Sequence, residues 1–353
     1  MLRLWYCNLR LATHTTHDDM ANPPPPAPPR ARLEAVGFCG ADDSVNPRLL
    51  KLISKNYPLV EWGVLFRPDR EGQPRYATEG WVSRLSRIVL DDDDNDEGGG
   101  RGETGRRRNS GGVVRLAAHL CGSHVNDLLG SSIDPECARR IDAFVRKLGG
   151  WGFRRIQVNA TAVNGVDTGR LLTSSGGDTD SAAATSFLRT AAAHPDLEFI
   201  VQRNDETEPL WSALLLPLPP PLPERHTLPD NVVFLHDESK GTGTSVPGGV
   251  WPADARFVSS NTSRAVGYAG GIRPSNVVSA MEGASLACSS SGGGRFWIDM
   301  ESGVRTTVFN KDDDDDDDDG TRREVDIFDL AKCYDCIDGL CEAGWMDHPP
   351  GLR

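Results

Sequence analysis

Short runs rich in valine, isoleucine, leucine and phenylalanine recur along the chain, and between them apolar residues return at helical spacing. The short runs predict strands at residues 35–39, 60–66, 113–120, 153–158, 198–202, 232–235, 265–268 and 296–300. The segments between them predict helices at 47–56, 81–89, 134–148, 179–193, 274–287 and 328–342, several opened by a Ser, Thr, Asp or Pro start signal. Strand and helix alternating over this length call for parallel pairing with right-handed crossovers. A count of eight strands favours an α/β fold of the closed (β/α)8 TIM-barrel kind over an open sheet. Such barrels carry their chemistry at the rim formed by the C-terminal strand ends. The residues at those ends are Cys39, Arg67, His119, Asn159, Gln202, Asp237, Gly270 and Asp299 or Glu301, types for which a packed core has little use.

Low-complexity patches interrupt this pattern. Residues 1–32, with the prolines of 23–29, read as a disordered leader or a weak transit peptide. The barrel is expected over 33–345, with solvated insertions near 91–112 and 312–320 and a short tail at 346–353. The net charge of −13 resides in those insertions: Asp91 to Asp94, Asp96 and Glu97 carry six acids and the run at 312–319 eight. Without them the chain is close to neutral, which argues against a nucleic-acid-binding face. No segment is long and apolar enough for a membrane span, and the N-terminus lacks the apolar core of a secretory signal. A cytoplasmic protein is expected, with plastid or mitochondrion as the alternative, and either a monomer or a homodimer.

Eight cysteines in 353 residues do not form a disulfide scaffold. Cys333 and Cys336, followed by Cys341 and His348, have metal-ligand spacing, yet Leu330, Cys333, Tyr334, Ile337, Leu340 and Cys341 also form one stripe of a helix opening near Asp329, which is the stronger reading. The glycosylation sequons at Asn159 and Asn261 are idle if the chain is never secreted.

Two glycine turns carry the chemistry. Gly267 to Val277 runs from a strand through Gly270 and Gly271 toward a helix, and Asp299 to Val304 ends the last strand in Ser302 and Gly303. Turns of this type bring backbone N–H groups close to an anion, and the last two loops of a barrel are its usual phosphate cradle. A third element, Gly241-Thr242-Gly243, is followed by Pro247-Gly248-Gly249 instead of a helix, so a dinucleotide fingerprint is excluded on context and a cover over a substrate is expected.

In this order the motifs resemble the phosphoribosylanthranilate isomerases of the ribulose-phosphate-binding barrels, from the tryptophan pathway. The matching residues are Phe38-Cys39-Gly40, Gly63 to Pro68 with Pro74-Arg75-Tyr76, Asp237 with Gly241-Thr242-Gly243, Ala269 to Val277, and Asp299 with Ser302-Gly303-Val304. The resemblance implies a cofactor-free Amadori rearrangement of a small-molecule phosphosugar, with no metal. It assigns Asp237 as general acid and Cys39 as general base. It also implies phosphate on Gly270, Gly271, Ser302 and Gly303, and Arg75 facing an aromatic carboxylate. His119, Asn159, Gln202, Gly241, Gly243 and Asp299 are the further substrate-binding candidates.

The chain departs from the family pattern in several places. Gly37 stands where the family commonly has lysine, Asn159 where it has histidine on the fourth strand, and His119 and Cys121 are new on the third. Asp42 and Asp43 follow the cysteine and are expected to cap the helix near Pro47. These changes leave two rivals to the isomerase: an aldolase or epimerase of another phosphosugar, metal-dependent if the aspartates bind an ion, and a non-catalytic phosphosugar binder.

Overall fold

The computed structural model describes residues 30–91, 114–171, 181–215, 228–244, 246, 250–253, 264–292, 294–310 and 323–351. Eight parallel strands close into a barrel in sequence order, with the last strand pairing back onto the first. They are β1 (Arg32–Cys39), β2 (Val60–Phe66), β3 (Arg115–Leu120), β4 (Arg155–Val158), β5 (Glu198–Arg203), β6 (Val232–Asp237), β7 (Val266–Ala269) and β8 (Arg295–Met300). Around them lie α1 (Pro47–Asn56), α2 (Glu79–Leu90), α3 (Ser123–Gly130), α4 (Pro135–Gly150), α5 (Ala182–Ala193), α6 (Glu208–Leu215), α7 (Val277–Ser290) and α8 (Leu330–Glu342). Between β6 and β7 no helix occurs among the described residues.

Each strand is buried on both faces, so the apolar runs are nearly continuous, as parallel sheets require. Outward residues such as Val36, Phe38, Trp62 and Val64 pack under the helices. Inward residues form a separate cluster of Ala35, Ile200, Val233, Leu235, Ala269 and Trp297. Beside it Arg155, on β4, pairs with Glu61 and with Glu198, each at 2.6 Å, and its guanidinium lies 4.1 Å from the centre of the Trp297 ring. A buried charge is tolerable only with such pairing.

The helix starts follow their signals. Asn46 caps α1, Thr78 α2, Asp134 α4, Ser181 α5 and Asp329 α8, each accepting from a backbone N–H of the first turn. Asp42 and Asp43 therefore do not cap α1. Asp42 instead binds Arg305 and the backbone N–H of Arg75, while Asp43 accepts from the N–H and hydroxyl of Thr78. On α8, Cys333, Cys336, Ile337, Leu340 and Cys341 are buried as the helical stripe requires, but Tyr334 faces solvent. Asn159 is buried inside the barrel, where no glycan could reach it.

A two-stranded antiparallel hairpin, β9 (Arg305–Asn310) and β10 (Arg323–Phe328), was not foreseen, and Phe328 ends a strand instead of starting a helix. The aspartate run lies between its strands in sequence, outside the described residues, as does most of the insertion near 91–112. The hairpin is fastened by Arg305, only 2% exposed at its side chain. Its guanidinium donates to Asp42 at 2.8 Å, to the Gly40 carbonyl at 2.6 Å and to both the carboxylate and carbonyl of Asp326. Replacing Arg305 with Met leaves Asp42 buried without its cation, so a loss of about 3–5 kcal/mol in stability is expected in urea unfolding. Arg305→Lys should recover only part, because an ammonium cannot reproduce the planar fork.

Candidate active site

At the C-terminal rim, from β4 round to β8, the barrel opens into a narrow cavity of about 40 Å³. One end of it is made of turns. Gly270 and Gly271 take φ of +117° and +62°, a conformation that L side chains strain to adopt, so the chain can double back after β7. Asn276 secures this turn by donating to the Gly271 carbonyl at 3.1 Å and accepting from the Arg273 N–H at 2.8 Å. The helical start expected at Pro274 is thereby displaced to Val277.

After β8 the chain makes a single 3₁₀ turn, Ser302–Val304, whose leading amides have no earlier carbonyl of their own helix to bond. The turns touch: a Cβ on Gly303 would run into the Ile272 carbonyl, and one on Gly243 would lie 2.7 Å from Ser302. Gly270, Gly271, Ser302 and Gly303, expected to hold an anion, and Gly243, expected in a cover over the substrate, thus border one cavity.

Asp237 closes β6 and also borders it, at 5% exposure. Its carboxylate accepts from Gln202 Nε2 and, at 3.0 Å and 2.5 Å, from the backbone and hydroxyl of Ser239. Gln202 spends its amide on that bond and leaves its Oε1 buried without a partner. Asn159 accepts from Gln157, both within the lining, and Gly241 lies beside Asn164.

Cys39, at the end of β1, is wholly buried, and its Sγ lies 3.1 Å from Nδ1 of His119 on β3. Burial pushes the thiol well up from its ordinary range, and Asp299 and Glu301 add to the effect, so it is a neutral thiol in the unliganded protein. Burial and the nearby charge of Arg155 lower His119 to about 3, which keeps the imidazole neutral as well. Asp299 borders the cavity and is held up by burial and by Glu61 and Glu301. Gly37 makes room for it, since a Cβ there would run into the Asp299 carboxylate. Cys39, His119 and Asp299 offer sulfur, nitrogen and oxygen atoms all within 4.8 Å of one another, and of the described residues these could hold a cation.

Arg75 was expected to face a carboxylate of the ligand and faces two of the protein's own, Glu301 at 3.1 Å and Asp326 at 2.9 Å. Glu301 itself is raised by burial against the pull of Arg75. Three polar lining residues escaped the sequence reading of the site, Gln157, Asn164 and Ser239, and Glu301 was read there only as the alternative to Asp299. Gln157 and Glu301 stand two residues from Asn159 and Asp299, and the period of a strand places such pairs on one face. Asn164 lies in a loop that gives no such signal.

Since His119 is neutral when folded down to about pH 3 but titrates near 6.5 when unfolded, only the unfolded chain binds this proton in between. Stability should therefore fall as pH drops through that window, at about 1.4 kcal/mol per pH unit from this group. Unfolding free energies measured from pH 7 to 4 should show a shallower decline in His119→Gln.

No family model matches the chain, and no curated protein does. Among solved structures it is similar to a phosphoribosyl anthranilate isomerase in complex with reduced 1-(o-carboxyphenylamino)-1-deoxyribulose 5-phosphate, at 12% identity and a TM-score of 0.34, over 78% of this chain and 88% of that one. It is also similar to N-(5'-phosphoribosyl)anthranilate isomerase from Pyrococcus furiosus, at 11% identity and a TM-score of 0.37, over 86% and 96% of the two chains. The barrel is established by its own strand pairing and not by these likenesses.

Proposed function

We propose that the chain is a cofactor-free aldose–ketose isomerase that carries out an Amadori rearrangement of a phosphoribosylated amine. One observation carries the reading: the turns after β7 and β8 and the carboxylate of Asp237 border the same cavity, an anion grip and a proton donor within one substrate length. Phosphate rests on the amides of Gly270, Gly271, Ser302 and Gly303, drawn by backbone N–H groups and not by a cationic side chain.

Asp237 gives a proton to the ring oxygen, the C1–O bond breaks, and the amine nitrogen's lone pair forms a C1=N iminium. Cys39 then removes the C2 proton, and the C2–H electrons form the C1=C2 bond of an enaminol. Protonation at C1 and loss of the hydroxyl proton give the C2 ketone. Cys39 and His119 lie outside the residues that line the cavity, so the substrate must bring its positive iminium against them, where it favours the thiolate, with His119, at hydrogen-bond distance, placed to take the thiol proton. The Cys39–His119–Asp299 donor set favours a second reading, a metal-assisted aldolase or epimerase of another phosphosugar.

Mass spectrometry of a phosphosugar and phosphoribosylamine panel separates these. Isomerised product formed with a chelator present supports the isomerase, and Cys39→Ala and Asp237→Asn should each lower turnover by about 10²- to 10⁴-fold with binding retained. Turnover indifferent to both substitutions removes the assigned acid and base. Product only with added metal selects the second reading, and binding without product leaves a phosphosugar binder.

A further inference from the structure

The charges around the cavity restrict the half of the ligand that the phosphate cradle does not hold. The lining carries three carboxylates, Asp237, Asp299 and Glu301, and four carboxamides, but no lysine, arginine or histidine among the described residues. Two arginines at the rim are engaged with the protein's own carboxylates, and Arg273, in the turn after β7, donates to the Gly271 carbonyl. Arg75 is paired with Glu301 and Asp326, and Arg305 with Asp42 and Asp326.

The wall also has an excess of acceptors. Gln202, at 2% exposure, directs its donors to Asp237 and leaves a buried Oε1 unbonded, and buried acceptors normally find a donor. An arm that brings N–H or O–H groups would satisfy it. A carboxylate there would be desolvated with no lysine, arginine or histidine among the described lining residues to pair with it, an unfavourable arrangement for a buried charge.

We infer that the site takes phosphosugars whose non-phosphate arm is uncharged or cationic and rich in hydrogen-bond donors, and that it discriminates against an arm bearing a carboxylate. This rests on the phosphosugar reading above and departs from the aromatic carboxylate that the family resemblance implies. The wall acts as the selective element: it offers a second anion no cation and accepts a donor, while the first anion is held by backbone amides.

Three chemically stable probes test it, each a 1-arylamino-1-deoxyribitol 5-phosphate, with the aryl group 2-carbamoylphenyl, phenyl or 2-carboxyphenyl. Calorimetric titration of the full chain at neutral pH should rank the carbamoyl probe tightest and the carboxyl probe weakest, with at least about tenfold between them. Glu301→Gln removes one wall charge and releases Arg75 from one of its two partners, so it should narrow that gap. A carboxyl probe that binds as tightly as the carbamoyl one overturns the inference, as does a gap that Glu301→Gln leaves unchanged or failure of all three probes to bind. The expected ranking together with no turnover of the parent phosphoribosylamines would remove the isomerase reading and leave this inference standing.

Discussion

A guanidinium with almost no access to water sets the shape of the barrel mouth. Arg305 leaves β8 through the 3₁₀ turn and binds the loop after β1 at Gly40 and Asp42 and the hairpin strand β10 at Asp326. Asp326 also holds Arg75, Arg75 holds Glu301, and Asp42 holds the backbone of Arg75. Arg305, Arg75 and Asp326 are each thereby paired twice, the condition under which buried ions are tolerated. One side of the rim, above β1, β2 and β8, is occupied by this network. The cavity takes the other side, above β4 to β7, and reaches round to the residues that end β8.

The two sides are coupled by the strands beneath them. Arg155, held by Glu61 and Glu198, extends positive charge into the barrel under His119, and the carboxylate of Glu61 acts on Asp299 from below. The groups at the mouth are therefore set by charges deeper in the fold as well as by burial. Cys39 and His119 are both neutral at rest.

The barrel was legible because its strands are buried on both faces, so eight apolar runs stood out whatever the helices did. The turns were legible because Gly270 and Gly271 adopt backbone angles that other residues strain to reach. The hairpin was not. Its visible residues alternate charge with half-buried aliphatic side chains, and the acidic run beside it drew the whole segment toward a loop assignment. The helices α3 and α6 were missed for their length of eight residues each, too short for a helical period to stand clear. Pairings were the least legible of all. Cys39 and His119 are 80 residues apart, and Arg75 and Asp326 are 251 apart, so Cys39, His119 and Arg75 were each recognised as candidates while the pairings were not. Arg75 was consequently credited with a ligand's carboxylate when the fold had already supplied two.

That reassignment joins specificity to chemistry. If the reaction passes through an iminium, positive charge develops on the sugar's C1 within a cavity bordered by Asp237, Asp299 and Glu301, and fixed negative groups stabilise it without having to reorganise. The same groups repel an anionic arm on the attached nitrogen. A site cannot keep its counter-charge for the iminium and also leave an arginine free for a carboxylate a few ångströms away without the two cancelling. On that reading, committing Arg75 and Arg305 to Asp42, Asp326 and Glu301 keeps their charges away from the iminium.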